Sequence, residues 1–505
     1  MQAVDSAGLG IERRAAALEY FLDRNKGWVL ALLSVLYFAG TILRARGKPF
    51  WFDEILSLIA VHQPSLGEAI AASRRLEWGP PGNTVVLYLV NKIAGSGEVA
   101  FRIPAMLGFW LFCLCLFAFA KRRVSFFFAL TAMLLPFATW GEGYSIEARA
   151  YGMVLGWCGV ALYCWQTAST EKKHRLLSLT GLTLAIGAAV LTNYYAVLIC
   201  LPLATAEALR NLKQRRIDWP IWIALILGGI PISSVVLLGR GLQIAHPVAL
   251  VSRSDYVTFY VNTLARFLWF AVPVLAFVGI WLVIRGDRET PSNADPRPVE
   301  REELVAPVLF LLLPLAAITL ALAVRPHVFT DRYALPSIAG LALVIAILGA
   351  HFSAGRSAIG LMFAAAAFWP FGFALSHGRP LHSPYNDRPM LTDALKDGPV
   401  VVTDVLTYLP TWYYAPAEIR QHLLLISDDE LSVKYANLSP DLDGFGPYGI
   451  SLVKYKDLAA PEKPFLIYLT PGFNWWLPKK VLEDGGRVEV LKWEDGQALL
   501  LAHAK

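Results

Sequence analysis

Between residues 27 and 375 the sequence is a succession of apolar runs, most close to the twenty or so residues a helix needs to cross the hydrocarbon core of a bilayer. That pattern constrains the chain more than its length of 505 residues, which alone would suit about three soluble domains. The composition agrees. Hydrophobic residues make up 56%, charged residues 17%, and mean hydropathy is +0.49, whereas a soluble globule carries about 25% charged residues. Runs near 27–43, 102–120, 124–140, 150–168, 176–191, 194–209, 219–239, 262–284, 304–324, 335–351 and 357–375 predict about eleven spans. Residues 1–26 are polar and mixed in charge. With no small-residue cleavage site after a short apolar core, they read as a cytoplasmic N-terminal segment, not a cleaved signal peptide.

The net charge of +6 reports topology rather than nucleic-acid binding. The stretch 81–95 is short, begins at a double proline and contains Asn83, Asn91 and Lys92. If it does not span, alternate loops on one side carry fifteen Lys and Arg, and the small loops opposite carry five. The positive-inside rule puts the fifteen in the cytoplasm. Residues 81–95 are then a juxtamembrane helix within a long outer loop, 44–101, and the C-terminal tail is also outside. All five cysteines (Cys113, Cys115, Cys158, Cys164 and Cys200) lie in apolar stretches, so neither a disulfide framework nor a thiolate metal site is indicated.

Beyond Leu375 the character changes. A Pro- and Gly-rich linker, His377 to Pro389, leads into a mixed polar tail, and 376–505 is long enough for one small domain. Short apolar runs at 399–403, 423–426, 465–469, 488–491 and 498–501 predict strands. Helical patterns near 405–414 and 474–484 lie between some of them. Gly485-Gly486 ends the second helix and Asp495-Gly496 marks a hairpin turn. The fold expected is a polytopic α-helical membrane protein (27–375) with a small C-terminal extracytoplasmic α/β domain.

Three polar clusters fall where spans meet water, all on the outer side in this topology. The first is Lys48-Pro-Phe-Trp-Phe-Asp53-Glu54. Trp51 and Phe52 can seat the loop in the membrane interface, and partial desolvation there suits a carboxylate to act as a base. The plainer alternative is an acidic helix N-terminus. The second cluster runs from Glu142 to Tyr151. Glu147 and Tyr151, four apart, are expected on one helix face, with Arg149 pointing elsewhere. Anchoring to headgroups is the alternative for its Tyr and Arg. The third is Arg325-Pro-His327-Val-Phe-Thr-Asp331-Arg332-Tyr333-Ala-Leu-Pro336. Arginine suits bidentate phosphate binding, and the plainer alternative is that Asp331 pairs with either arginine. Glu147, Tyr151 and His327 are candidates for substrate contact. Trp475-Trp476 and Trp412-Tyr413-Tyr414 are candidates for stacking on sugars, or else core aromatics. No Walker loop is present, and no GxGxxG pattern sits between a strand signal and a helix signal. Without a nucleotide site, an outer-face transferase needs a donor delivered as a lipid.

In this order the clusters resemble the glycosyltransferase C superfamily. The likeness is greatest to its bacterial branch akin to protein O-mannosyltransferases, lipid A aminoarabinose transferases and rhizobial galacturonosyltransferases. It covers roughly 27–375, with a weaker counterpart for the outer domain. Five motifs carry it: Phe52-Asp53-Glu54, Gly79-Pro80-Pro81-Gly82, Glu98-Val-Ala-Phe-Arg102-Ile-Pro104, Glu147-Ala-Arg149-Ala-Tyr151-Gly152, and Asp331-Arg332-Tyr333-Ala-Leu-Pro336. The resemblance implies an inverting transferase that uses a polyprenyl-phosphate sugar. Asp53 takes the position of the catalytic base or acceptor-orienting group, with Glu54 its neighbour. The family often carries His or Lys before the double proline, where this chain has Gly79, so Arg149 and Arg332 become the candidates for donor phosphate, with Tyr333 as a hydrogen-bond donor.

The reading is therefore a glycosyltransferase of the inner (plasma) membrane with a glycan, lipid or protein acceptor. No cofactor is required of it, a divalent cation is unsupported, and no nucleic acid is involved. The rivals are a transporter or flippase of lipid-linked glycans and an O-antigen-ligase-like transferase. A transporter calls for polar groups near mid-span, whereas here the charge clusters sit at span ends.

Overall fold

The computed structural model describes residues 2–77, 79–233, 252–285, 301–323, 329–376, 383–436, 442–459, 463–470 and 476–505. Several sequence expectations fall outside these residues: His327 and Arg325, Trp475, and the first part of the linker, 377–382.

Helices occupy the apolar runs. Lys26–Gly47, Glu98–Lys121, Arg175–Thr192, Tyr194–Gln214 and Ser357–Ser376 are each long and apolar enough to cross a membrane. Counting each bent pair as one span raises the number from five to eight, and Trp219–Ile232 and Ser337–Phe352 are shorter apolar helices. Among the described residues, length and composition do not confirm the expected eleven. Expected spans 124–140 and 304–324 are not straight. The first is the helix Phe126–Leu134 followed by 3-10 turns Leu135–Ala138 and Trp140–Ile146, with a bend of 76°. Pro136 lacks the N–H that an α-helix needs, and Thr139 accepts the Gly141 N–H at 3.2 Å to start the next turn. The second bends by 50° between Leu311 and Leu313.

Small residues set the closest approach in the bundle. A Cβ on Gly152 would lie 2.5 Å from the Ala105 carbonyl oxygen, and one on Gly108 would lie 2.4 Å from that of Gly152. The helices Glu98–Lys121 and Ala150–Thr170 thus meet backbone to backbone, as small residues permit. This contact fixes the spacing of Arg102 and Arg149, which stand near the ends of these helices. On the N-terminal helix, Gln2–Arg24, Glu12 accepts the N–H groups of Ser357 and Ala358, and Glu19 accepts that of Phe127. Carboxylates there satisfy donors that helix N-termini leave open.

Residues 44–101 form a layer of three short helices: Phe52–Val61, Leu66–Leu76 and Gly82–Ala94. The last has 13 residues, about 20 Å of helix, too short for a hydrocarbon core of about 30 Å. The segment 81–95 is therefore a helix that does not span.

The C-terminal part forms a six-stranded sheet in the order β3-β2-β1-β4-β6-β5. Its strands are β1 (Val400–Val402), β2 (Leu423–Ile426), β3 (Leu452–Val453), β4 (Phe465–Leu469), β5 (Arg487–Glu494) and β6 (Gln497–His503). Strands β1 to β4 are parallel, and β6 pairs antiparallel with both β4 and β5. Asp495 and Gly496 both take positive φ, 50° and 74°, in the expected hairpin turn. Strand β3, two residues long, has no sequence signal. The sheet unit and loop 44–101 share one apolar core, in which Phe50, Ile55, Leu58 and Phe101 pack with Leu395, Val400, Tyr408 and Leu409.

The helix contact gives a stability test. Gly152→Leu overpacks a backbone contact and is expected to cost at least about 1–3 kcal/mol. Thermal unfolding of the detergent-purified protein should show a lower midpoint, and Gly279→Leu, where a Cβ meets nothing within 4 Å, should leave it unchanged.

Candidate active site

The first-loop acidic pair splits into two different environments. Glu54 and Arg102 are both fully buried, at 0% exposure. Arg102 Nε and Nη2 donate to Glu54 Oε1 and Oε2, each at 2.8 Å. Its remaining N–H groups go to the carbonyls of Ala45 (2.9 Å), Lys48 (2.6 Å) and Pro49 (3.0 Å). All five guanidinium donors are therefore used. The ring of Phe50 lies 5.0 Å from the guanidinium carbon. Glu54 also accepts the N–H of Ala148 at 2.7 Å and of Trp51 at 3.2 Å. Four hydrogen bonds fill a carboxylate's acceptor positions. The expectation that Glu54 joins Asp53 in catalysis is corrected on this ground. Glu54 ties the loop after the first apolar helix to the turn before Ala150, and it has no lone pair left for substrate.

Asp53 stands one residue earlier on the same helix and is 9% exposed. Arg332 Nη1 donates to its Oδ2 at 2.7 Å. Arg149 Nη2 approaches the same oxygen at 3.5 Å, and Arg149 Nη1 donates to the Asp53 backbone carbonyl at 3.2 Å. Oδ1 has no hydrogen-bond partner among the described residues. The two arginines are gathered from separate helix ends. Arg149 is the extended residue at the start of Ala150–Thr170, and Arg332 lies on the 3-10 turn Asp331–Ala334. Asp331, expected as a possible partner for a neighbouring arginine, makes no ion pair among the described residues.

Glu77 completes the cluster, and the sequence reading passed over it. It pairs with Arg149 Nη1 and accepts Ser57 Oγ at 2.6 Å and Ser73 Oγ at 3.0 Å. Thr84 in turn donates to Ser73 Oγ at 2.7 Å. Its one sequence signal is its place just before the Gly79-Pro80-Pro81-Gly82 motif. Glu77 anchors Arg149. Arg332 is held more lightly, by Asp53, by Thr330 Oγ1 at 3.2 Å and over the Tyr151 ring at 5.5 Å.

The neighbouring groups brace this arrangement. Contrary to the expectation from their spacing, Glu147 does not share a helix face with Tyr151. Residues 147 and 149 are extended, and the helix begins at Ala150. Glu147 instead pairs with Lys48 at 3.2 Å, and Glu142 pairs with Arg44. Burial raises the Glu147 carboxyl above its ordinary range, with Lys48 opposing. Tyr151 packs edge-on against Tyr144 at 4.9 Å, and Tyr333 stacks on Tyr195 at 4.1 Å, 8° from parallel. Three of the sequence candidates for sugar stacking serve packing instead. Trp476 is buried in the sheet unit. Tyr414 accepts the Phe50 N–H at 2.8 Å and donates to Glu98 at 3.1 Å, while Tyr413 packs edge-on to Phe50. These contacts dock the sheet unit on the loop that carries Asp53.

No family model matches the chain, and no curated protein matches it. Among solved structures it is similar to ArnT from Cupriavidus metallidurans in the apo state, with a TM-score of 0.54 and 12% identity over 95% of this chain and 98% of that one. ArnT bound to undecaprenyl phosphate gives a TM-score of 0.54 and 13% identity over 94% and 98%. The Archaeoglobus fulgidus oligosaccharyltransferase, in complex with Zn and sulfate, gives 0.43 and 13% over 86% and 67%.

The buried pair is open to a double-mutant cycle. Glu54→Gln leaves Arg102 uncompensated and should destabilise by about 3–5 kcal/mol. Adding Arg102→Met should recover part of that loss. Unfolding of the purified single and double variants measures both.

Proposed function

We propose that this chain, which has the glycosyltransferase C fold it shares with ArnT, transfers a sugar from a polyprenyl-phosphate donor to an acceptor hydroxyl at the outer face of the inner membrane, with inversion. The observation that carries the reading is one carboxylate, Asp53, held between two arginines, with one oxygen free of protein partners among the described residues. ArnT's binding of undecaprenyl phosphate supports the choice of donor class.

The chemistry follows from the charges. The acceptor oxygen attacks the anomeric carbon from the face opposite the phosphate. The bond between that carbon and the phosphate oxygen breaks, and its electron pair leaves with the polyprenyl phosphate. Asp53 takes the acceptor proton, which general-base catalysis makes worth about 10²–10⁴-fold. Arg332 and Arg149 neutralise the leaving phosphate, whose charge grows as the bond breaks. Tyr151 and Tyr333 frame the arginines. Glu54 and Glu77 position the loop and Arg149.

The resting contacts add a requirement. Arg332 spends only one Nη1–H on Asp53 and Nε on Thr330, and a phosphate that takes its Nη1/Nη2 edge in bidentate fashion competes with Asp53 for it. In this bidentate mode the phosphate replaces Asp53 as that arginine's partner, and the carboxylate is released as a base in the same exchange. Donor binding in this way arms the site before an acceptor is activated.

In a strain deleted for the gene, one sugar should disappear from surface glycans or glycolipids analysed by mass spectrometry. Wild type should restore it, and Asp53→Asn at matched expression should not. Full restoration by Asp53→Asn would remove Asp53 from catalysis. Undecaprenyl phosphate binding to purified protein should weaken about tenfold or more in Arg332→Gln. It should be unchanged or tighter in Asp53→Asn, which no longer competes for the arginine. Neutralisation by arginine calls for no divalent ion, so EDTA should leave turnover unchanged.

A further inference from the structure

A second site lies at the far end of the bundle. Tyr195, stacked on Tyr333 beside the Asp53 cluster, precedes the helix Cys200–Gln214. Its 15 residues carry the chain away by about 22 Å. Where this helix ends and Trp219–Gly229 begins, a cleft of about 580 Å³ opens, with Leu212, Arg215, Arg216, Ile217, Trp219 and Trp222 among its lining.

The charges around the cleft do not cancel. Glu207 is fully buried and paired with Arg210 at 2.7 Å and 3.0 Å. Asp218 is shared by Arg210 and Arg175. The nearby acids are thus consumed by Arg210 and Arg175. Arg215 and Arg216 remain exposed, with no side-chain partner among the described residues. Arg215 closes the helix in the left-handed region at φ 49°, so the turn itself places the two consecutive guanidinium groups at the cleft.

The cleft floor is built rather than loose. With the Asn211 amide oriented to satisfy its neighbours, its nitrogen donates to Glu207 at 2.9 Å and its oxygen accepts Trp222 Nε1 at 2.7 Å. The outer wall is apolar and open: Leu212 is 73% exposed, Trp219 62% and Ile217 53%. It continues into the exposed Ile223 and Ile226 of the apolar helix Trp219–Ile232. A soluble anion would match the arginines but leave this wall wet. A hydrocarbon chain would cover the wall but leave two cations unmatched.

We propose that the cleft binds an anionic glycerophospholipid of the leaflet opposite the Asp53 site, its phosphodiester between Arg215 and Arg216 and an acyl chain along Leu212, Ile217 and Trp219. Basic pockets beside membrane helices hold anionic headgroups by this combination of charge and apolar surface, and tryptophan at such a level suits the interface. The site is independent of the sugar-transfer chemistry.

The test is native mass spectrometry of the full-length protein in detergent, titrated separately with phosphatidylglycerol, phosphatidylcholine and glycerol phosphate. Wild type should retain phosphatidylglycerol adducts and retain the other two at least fivefold less. Arg215→Gln/Arg216→Gln should lose at least about fivefold in phosphatidylglycerol retention, at an unchanged thermal midpoint because both side chains are exposed. Leu212→Asp, which keeps both arginines, should also lose it. Equal retention of phosphatidylglycerol in both variants would overturn the proposal. So would equal retention of phosphatidylcholine, which would mean apolar adhesion only, or glycerol phosphate binding as well as the lipid, which would mean a soluble-phosphate site.

Discussion

One ion pair without access to solvent, Glu54 with Arg102, holds the first loop in register with the bundle. Its arginine gathers three carbonyls, Ala45 in the last turn of Lys26–Gly47 and Lys48 and Pro49 just after it, and its carboxylate gathers the N–H groups of Trp51 and Ala148. A buried pair gains little net stability against an apolar alternative, because both charges must be desolvated. What this pair supplies is geometry. It puts Asp53 one residue away, on a helix that cannot shift without breaking several buried hydrogen bonds, and it draws Arg149, next to Ala148, toward the same place.

Rigid support and release then divide between the two arginines. Arg149 is fixed by Glu77, itself held by two serines. Arg332 leans on Asp53 and Thr330. The proposed donor phosphate, entering between them, meets Arg332 as the less constrained partner. The sheet unit contributes from the other side, through Tyr414 to Phe50 and Glu98 and through a common apolar core. The loop that carries Asp53 is thus sandwiched between helical bundle and sheet.

The large-scale pattern was legible because hydrocarbon thickness and apolar periodicity are local properties. Among the described residues every expected apolar run carries helix, and the hairpin at Asp495-Gly496 follows from two adjacent residues. Long-range pairing was not legible. Nothing in the sequence joins Glu54 to Arg102, 48 residues on, rather than to substrate, or Arg149 to Glu77, 72 residues back. The misplacement of Glu147 has a local cause that was harder to weigh. The 3-10 turn Trp140–Ile146 gives way to extended backbone before Ala150, so four-residue spacing no longer means one helix face. The bend at Thr139 belongs with it, since Pro136 alone marks a kink and not its 76° size.

The most direct measurement is a cryo-electron microscopy structure of the protein with bound polyprenyl phosphate. The proposal predicts phosphate oxygens within hydrogen-bond distance of Arg332 and Arg149, and the contact between Arg332 Nη1 and Asp53 Oδ2, 2.7 Å in the resting protein, opened with the Asp53 carboxylate facing the cavity. A phosphate bound elsewhere, with Arg332 still on Asp53, would contradict it.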